Sequence, residues 1–125
     1  MNYFIDIYEL NKVFVKMKGT YLGEFEELAL LVVGTLFDDA YGVAVKQEIQ
    51  AQTGRKVTLS TVHSALHRLE QKGFVKSRLG DPTSERGGKR KRLFTLTFAG
   101  VKALQNAREM RNHLWDSIPK IAFNL

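Results

Sequence analysis

The chain has no cysteine, which removes disulfides, thiolate metal sites and cysteine nucleophiles at a stroke. Proline occurs only at Pro82 and Pro119, so no proline-rich linker divides the 125 residues, and no internal repeat is present. Long apolar runs are missing as well. The longest, Leu28 to Val33, falls far short of the ~20 residues needed to span a bilayer. The opening MNYFIDIYELNK has no basic leader region, and Asp6 and Glu9 interrupt its apolar residues, unlike a secretory signal. A cytoplasmic protein without a membrane partner is the expectation.

The usual marks of catalysis are equally scarce. His63 and His67 stand four apart with Glu70 beyond them, a spacing that can hold zinc, but no third and fourth ligands accompany them. The zinc-protease pattern needs glutamate directly after the first histidine, where Ser64 stands. The glycines and lysine between Gly80 and Lys89 lack the spacing of a nucleotide-binding loop, and no serine or threonine follows Lys89. No acid and base are paired with a nucleophile. The expectation is a non-enzymatic chain with no metal and no cofactor.

What the chain does have is concentrated positive charge. Its formal charge is +6, yet Arg55 to Arg92 holds 11 Lys/Arg against 3 Asp/Glu, and the remainder holds 8 against 10. Basicity belongs to one segment, as on a surface that faces phosphate. At its end, RGGKRKR places Arg86, Lys89, Arg90, Lys91 and Arg92 around two glycines.

Apolar spacing supplies the organisation. Tyr3, Ile7, Leu10, Phe14 and Met17 recur at helical intervals, predicting an amphipathic N-terminal helix that stops at Gly19. EFEELALLVVGTLF, Glu24 to Phe37, is apolar on nearly every side after its first turn, so this helix belongs at the centre. A second helix follows the acidic pair Asp38 and Asp39, read as N-terminal helix charges, and stops at Gly54. A third starts with Ser60 as N-cap and stops at Gly73. FVKSRL and KRLFTLT, joined by GDPTSERGG, read as a hairpin with a long loop. A long helix from Ala99 to about Phe123 carries Leu104, Ala107, Leu114, Ile118 and Ile121 at coiled-coil-like intervals, with Pro119 expected to kink or end it.

The order gives a mainly α fold with a small β-hairpin wing: a winged helix-turn-helix followed by a long C-terminal dimerisation helix. The expected parts are the N-terminal helix (1–20), the winged unit (21–98) and the dimerisation helix (99–125).

On the third helix, Val62, Leu66 and Leu69 share one face with Ala65 beside them. Ser60, Thr61, His63, Ser64, His67 and Arg68 point elsewhere. Short hydroxyl side chains let a helix sit deep in a major groove and bond to base edges or phosphates. The glycine-hinged cations of the wing would follow the backbone beside it and release counterions. Double-stranded DNA is the expected partner. An adaptor binding an acidic protein fits the same charge, and preference for a DNA sequence separates the two.

With these residues in view, the chain resembles the PadR-like transcriptional regulators. The resemblance rests on LGEFEELALL (Leu22–Leu31), AYGVAVKQEI (Ala40–Ile49), STVHSALHRLEQKGFV (Ser60–Val75) and RGGKRKRLFTLTFAG (Arg86–Gly100). It implies a homodimeric repressor that binds an inverted-repeat operator and pairs its C-terminal helix with the partner protomer. The family usually has tyrosine at the position of His63, commonly a DNA-backbone contact, and often two tyrosines at Leu93 and Phe94. Residues 1–18 lie outside the usual family core; Met17 opens a typical family start, and the apolar spacing before it favours a real helix. Trp115, near Leu114 and Ile118 on the C-terminal helix, reads first as core or interface packing, since its large apolar area drives burial. In drug-sensing members of the family an aromatic on this helix lines a flat pore between protomers, which makes Trp115 also the candidate contact for a small aromatic effector.

Overall fold

The computed structural model describes residues 21–82 and 90–124. The expected N-terminal helix, and Arg86 and Lys89 of the wing, lie outside the described residues.

Helix α1, Glu24–Leu36, begins at Gly23. Glu24, Glu26 and Glu27 fill its first turn, where the partial positive charge of the helix end favours carboxylates. Glu26 stands at the third helical position and accepts a 2.9 Å hydrogen bond from the Gly23 amide, the acidic half of a capping box. Ala29, Leu30, Val32 and Val33 are buried, and among the described residues α1 packs against the three other α-helices and the second strand of the hairpin. It is the central helix, as its apolar circumference requires.

The turn after α1 departs from the sequence expectation. Phe37–Asp39 is a short 3₁₀ turn, entered with Phe37 at a φ of 52°. Asp38 and Asp39 therefore sit in this turn and not in the first turn of the next helix. That helix, α2, runs Gly42–Thr53 with Tyr41 as its N-cap. Its Val45 and Ile49 are fully buried.

Helix α3, Leu59–Gln71, also starts earlier than expected, because its N-cap is Thr58 and not Ser60. Thr58 Oγ1 accepts from the Thr61 amide at 3.1 Å while its own backbone is extended; Ser60 is already helical and its hydroxyl is free of that duty. Val62, Ala65, Leu66 and Leu69 are buried, the face that the spacing assigned. At the far end the Phe74 amide bonds to Leu69 O and the Gly73 amide to Glu70 O. This closing motif needs the left-handed backbone that Gly73 adopts, at a φ of 80°.

Strands β1, Val75–Pro82, and β2, Arg90–Leu96, form an antiparallel hairpin. Val75 pairs with Leu96 and Leu79 with Arg92, with an irregularity between Leu79 and Pro82. The Phe94 amide donates to Ala40 O at 2.8 Å, fixing the hairpin to the chain between α1 and α2. Helix α4 spans Phe98–Asp116 and is followed by a 3₁₀ turn at Lys120–Phe123. It ends short of the expected Phe123 because Pro119 has no N–H and disfavours helical backbone at the residue before it.

The start of α4 is stitched to the end of α3. Thr97 Oγ1 donates to Gly73 O at 2.6 Å and accepts from the Gly100 amide at 3.1 Å, and the Thr97 amide donates to Phe74 O. The two backbones touch here: a Cβ on Gly100 would lie 2.1 Å from Phe74 O. Gly100→Ala should accordingly cost roughly 1–3 kcal/mol of stability, as overpacking does, measured by denaturant unfolding. Wild-type stability in this variant would show that the contact is soft.

Candidate nucleic-acid interface

The outer face of α3 is built as the sequence implied. Ser60, Thr61, His63, Ser64, His67 and Arg68 are all exposed. At the N-terminal end three hydroxyls cluster: Thr58 Oγ1 lies 3.2 Å from Ser60 Oγ and 2.8 Å from Thr61 Oγ1. Thr61 is thus partly engaged in the cap, whereas Ser64 stands one turn further along the outer face. His63 lies against the start of α2. A Cβ on Gly42 would fall 2.6 Å from His63 Cε1 and 2.9 Å from Nε2, so the absent side chain is what lets the imidazole rest there.

The described wing cations are held by the protein. Arg90 Nε donates to Gly80 O at 2.8 Å. Arg92 Nη1 donates to Ser77 Oγ at 3.1 Å, and Ser77 Oγ in turn donates to Glu70 on α3. Lys91 points away from both, as strand alternation demands, and its ammonium stands 4.0 Å from the centre of the Tyr41 ring, a cation–π contact. The wing is therefore braced on α3 through Ser77 and on the α2 N-cap through Lys91.

Beneath the interface lies a charge cluster that the sequence reading missed. Glu26 is only 6% exposed. Its two oxygens accept from Lys72 Nζ at 2.9 and 3.0 Å, and Arg68 Nε stands 3.5 Å away. Lys72 Nζ also donates to Tyr21 O. Burial alone would raise the Glu26 carboxyl, but the Gly23 amide, the Lys72 ammonium and the Arg68 guanidinium outweigh it and hold the group below its ordinary value of 4.5. The only sequence signal was a glutamate three residues after Gly23, at the capping-box position. Its neighbours reach other elements: Glu24 pairs with Arg55 at 2.6 Å, and Glu27 with Arg111 of α4 at 2.8 Å.

A transcriptional regulator family, the PadR-like family, matches residues 30–106, more than half of the chain. The chain belongs to the PadR-like family. No curated protein matches it. Among solved structures, a PadR family transcriptional regulator from Eggerthella lenta DSM 2243 is 23% identical, with a TM-score of 0.59 over 94% of this chain and 95% of that one. A PadR family transcription regulator from Clostridium difficile R20291 is 23% identical, with a TM-score of 0.61 over 75% of this chain and 93% of that one. A transcriptional regulator from Clostridium thermocellum is 24% identical, with a TM-score of 0.60 over 73% and 82%. At such identities these structures speak for the fold, a winged helix with a C-terminal helix.

This PadR-like chain is thus a DNA-binding transcriptional regulator, of a family of regulators and not of enzymes. Among the described residues no group of three potential metal ligands comes together, and no helix is long and apolar enough to cross a membrane. Trp115 is 64% exposed and meets Phe123 at a tilt, with ring centres 5.5 Å apart and planes at 54°, a pairing of the α4 end with the 3₁₀ turn that helical spacing did not indicate.

The Glu26 cluster has a signature in acid. Since its folded-state value lies below the unfolded one, the stabilisation is fully present above about pH 4.5 and is lost as pH falls through the folded-state value. Glu26→Gln should be less stable than wild type at neutral pH, and the gap should close on acidification below about 4.5. Thermal unfolding of both proteins across that range checks this; a gap independent of pH would mean that the carboxylate's charge is not what stabilises.

Proposed function

We propose that this regulator is a homodimeric, cytoplasmic repressor that binds an inverted-repeat operator. In this reading residues 21–98 are the DNA-binding unit and residues 99–125 pair two protomers. The observation that carries the reading is the brace from Arg92 through Ser77 to Glu70, which holds a cationic wing in fixed relation to the exposed hydroxyl face of α3. One element can then enter a major groove while the other lies along the flanking phosphates. Ser60, Thr61, Ser64, His67 and Arg68 take the groove, and His63, resting on Gly42, takes a nearby phosphate in place of the family's tyrosine. Arg86, Lys89, Arg90, Lys91 and Arg92 take the backbone.

Support for the dimer comes from α4, whose Met110, Leu114 and Trp115 are exposed, and from a cleft of about 380 Å³ between α1 and α4. That cleft is lined by Leu31, Leu96, Val101 and Leu104 among others. Apolar surface gathered this way favours burial against a second copy. Trp115, beside Phe123 at the far end of α4 and outside that cleft, supplies an aromatic wall for a planar effector between protomers.

Two kinds of DNA contact are separable by experiment. Replacing Arg90, Lys91 and Arg92 with alanine should weaken binding to operator and random duplex alike, flattening the log–log salt slope by about 0.9 per lost phosphate contact. Ser64→Ala should instead lower the preference for an operator selected from a randomised pool by roughly 1–3 kcal/mol if the hydroxyl meets a base edge. Equal losses on both duplexes would reassign Ser64 to the backbone.

A third experiment addresses α4. Truncation after Ala107 removes Leu114 and Ile118, and sedimentation should then find monomers with operator affinity collapsed. A dimer that survives would move the interface elsewhere. In the intact chain, planar aromatic cations should quench the single tryptophan and weaken operator binding together; no quenching would strike out the effector site.

A further inference from the structure

The end of α3 carries two cations, Arg68 in its last turn and Lys72 at its C-cap, and both turn toward Glu26. Their engagements differ. An ammonium has three donors, and those of Lys72 are taken by the two Glu26 oxygens and by Tyr21 O. None remains for a phosphate, and the side chain is only 20% exposed. Arg68 approaches Glu26 no closer than 3.5 Å, from Nε, an ion pair and not a hydrogen bond. Its outer fork, with four of the five guanidinium donors, stays on a side chain that is 49% exposed. One buried carboxylate thus engages one cation fully and draws the other toward itself by charge.

Resting on the DNA-binding reading above, we propose that Glu26 is a specificity-determining positioning residue, which withholds Lys72 from the phosphate backbone and aims the Arg68 fork at the groove. The physical reason is that a free lysine finds phosphates on any sequence and tightens all binding equally. An arginine drawn by charge toward a carboxylate samples fewer orientations of its planar fork, and base-edge recognition requires a defined one. Glu26 touches no DNA itself. Its effect passes through the two cations.

Glu26→Gln keeps the shape and removes the charge that holds both. On a random-sequence duplex this variant should bind more tightly than wild type, with a log–log salt slope steeper by about 0.9 as Lys72 gains a phosphate. Its preference for an operator selected from a randomised pool should fall by tenfold or more. Adding Lys72→Met should return the slope to the wild-type value, and Glu26→Asp, which keeps the charge, should stay near wild type throughout. A role limited to stability would lower the melting temperature without steepening the slope.

Lys72→Met alone provides a test that does not depend on how Glu26→Gln folds: on this proposal it leaves the random-duplex slope unchanged, because wild-type Lys72 contacts no phosphate. A slope flatter by about 0.9 in Lys72→Met, or one unchanged or flatter in folded Glu26→Gln, overturns the proposal. Wild-type protein that shows no salt-dependent DNA binding would overturn the DNA-binding reading itself, a separate outcome visible before any variant is made.

Discussion

A carboxylate taken out of water is unstable unless cations and N–H groups replace its hydration, and at Glu26 that requirement joins three parts of the chain. The Gly23 amide comes from the same turn, Lys72 and Arg68 come from the far end of α3, and Lys72 also reaches back to Tyr21 O. Satisfying one buried group therefore fixes where α3 ends relative to where α1 begins. The polar face of α3 takes its orientation from this contact together with the apolar packing of Val62, Leu66 and Leu69.

The first turn of α1 extends the same logic outward. Glu24 holds Arg55, which also lies 5.4 Å from the Phe25 ring centre, and so secures the link that leads into α3. Glu27 holds Arg111 near the middle of α4. These two pairs are largely exposed and individually weak. Their value lies in direction, because three carboxylates on successive sides of one turn reach the approach to α3, its end, and α4.

The sequence carried the frame of this fold legibly, and the reason is periodicity. Helical spacing distinguishes inside from outside, so the burial of Val62, Ala65, Leu66 and Leu69 and the exposure of Ser60, Ser64 and His67 followed from it. Periodicity does not name partners across the chain. Glu26 and Lys72 are 46 residues apart, and nothing local marks them as a pair; the same holds for Lys91 on Tyr41. Local chemistry was also degenerate at the start of α3, where Thr58, Ser60 and Thr61 all offer a capping hydroxyl and only the path of the preceding chain decides. At Phe37 the signal pointed the wrong way, since a phenylalanine gives no hint of a left-handed backbone.

The joint at Thr97 has one more property. Helix α4 has 19 residues, which makes a rod about 28 Å long at a rise of 1.5 Å per residue. It is fixed at one end by hydrogen bonds from Thr97 to Gly73 and Phe74, and Gly100 brings backbone directly onto backbone there. Such a joint has little compliance. Each degree of tilt at Thr97 sweeps the distant end of α4 through about 0.5 Å, and conversely a displacement of about 1 Å imposed near Trp115 reaches the end of α3 as only about two degrees of rotation. The rod works as a reducing lever, converting coarse motion at one end into fine adjustment of the helix that faces DNA.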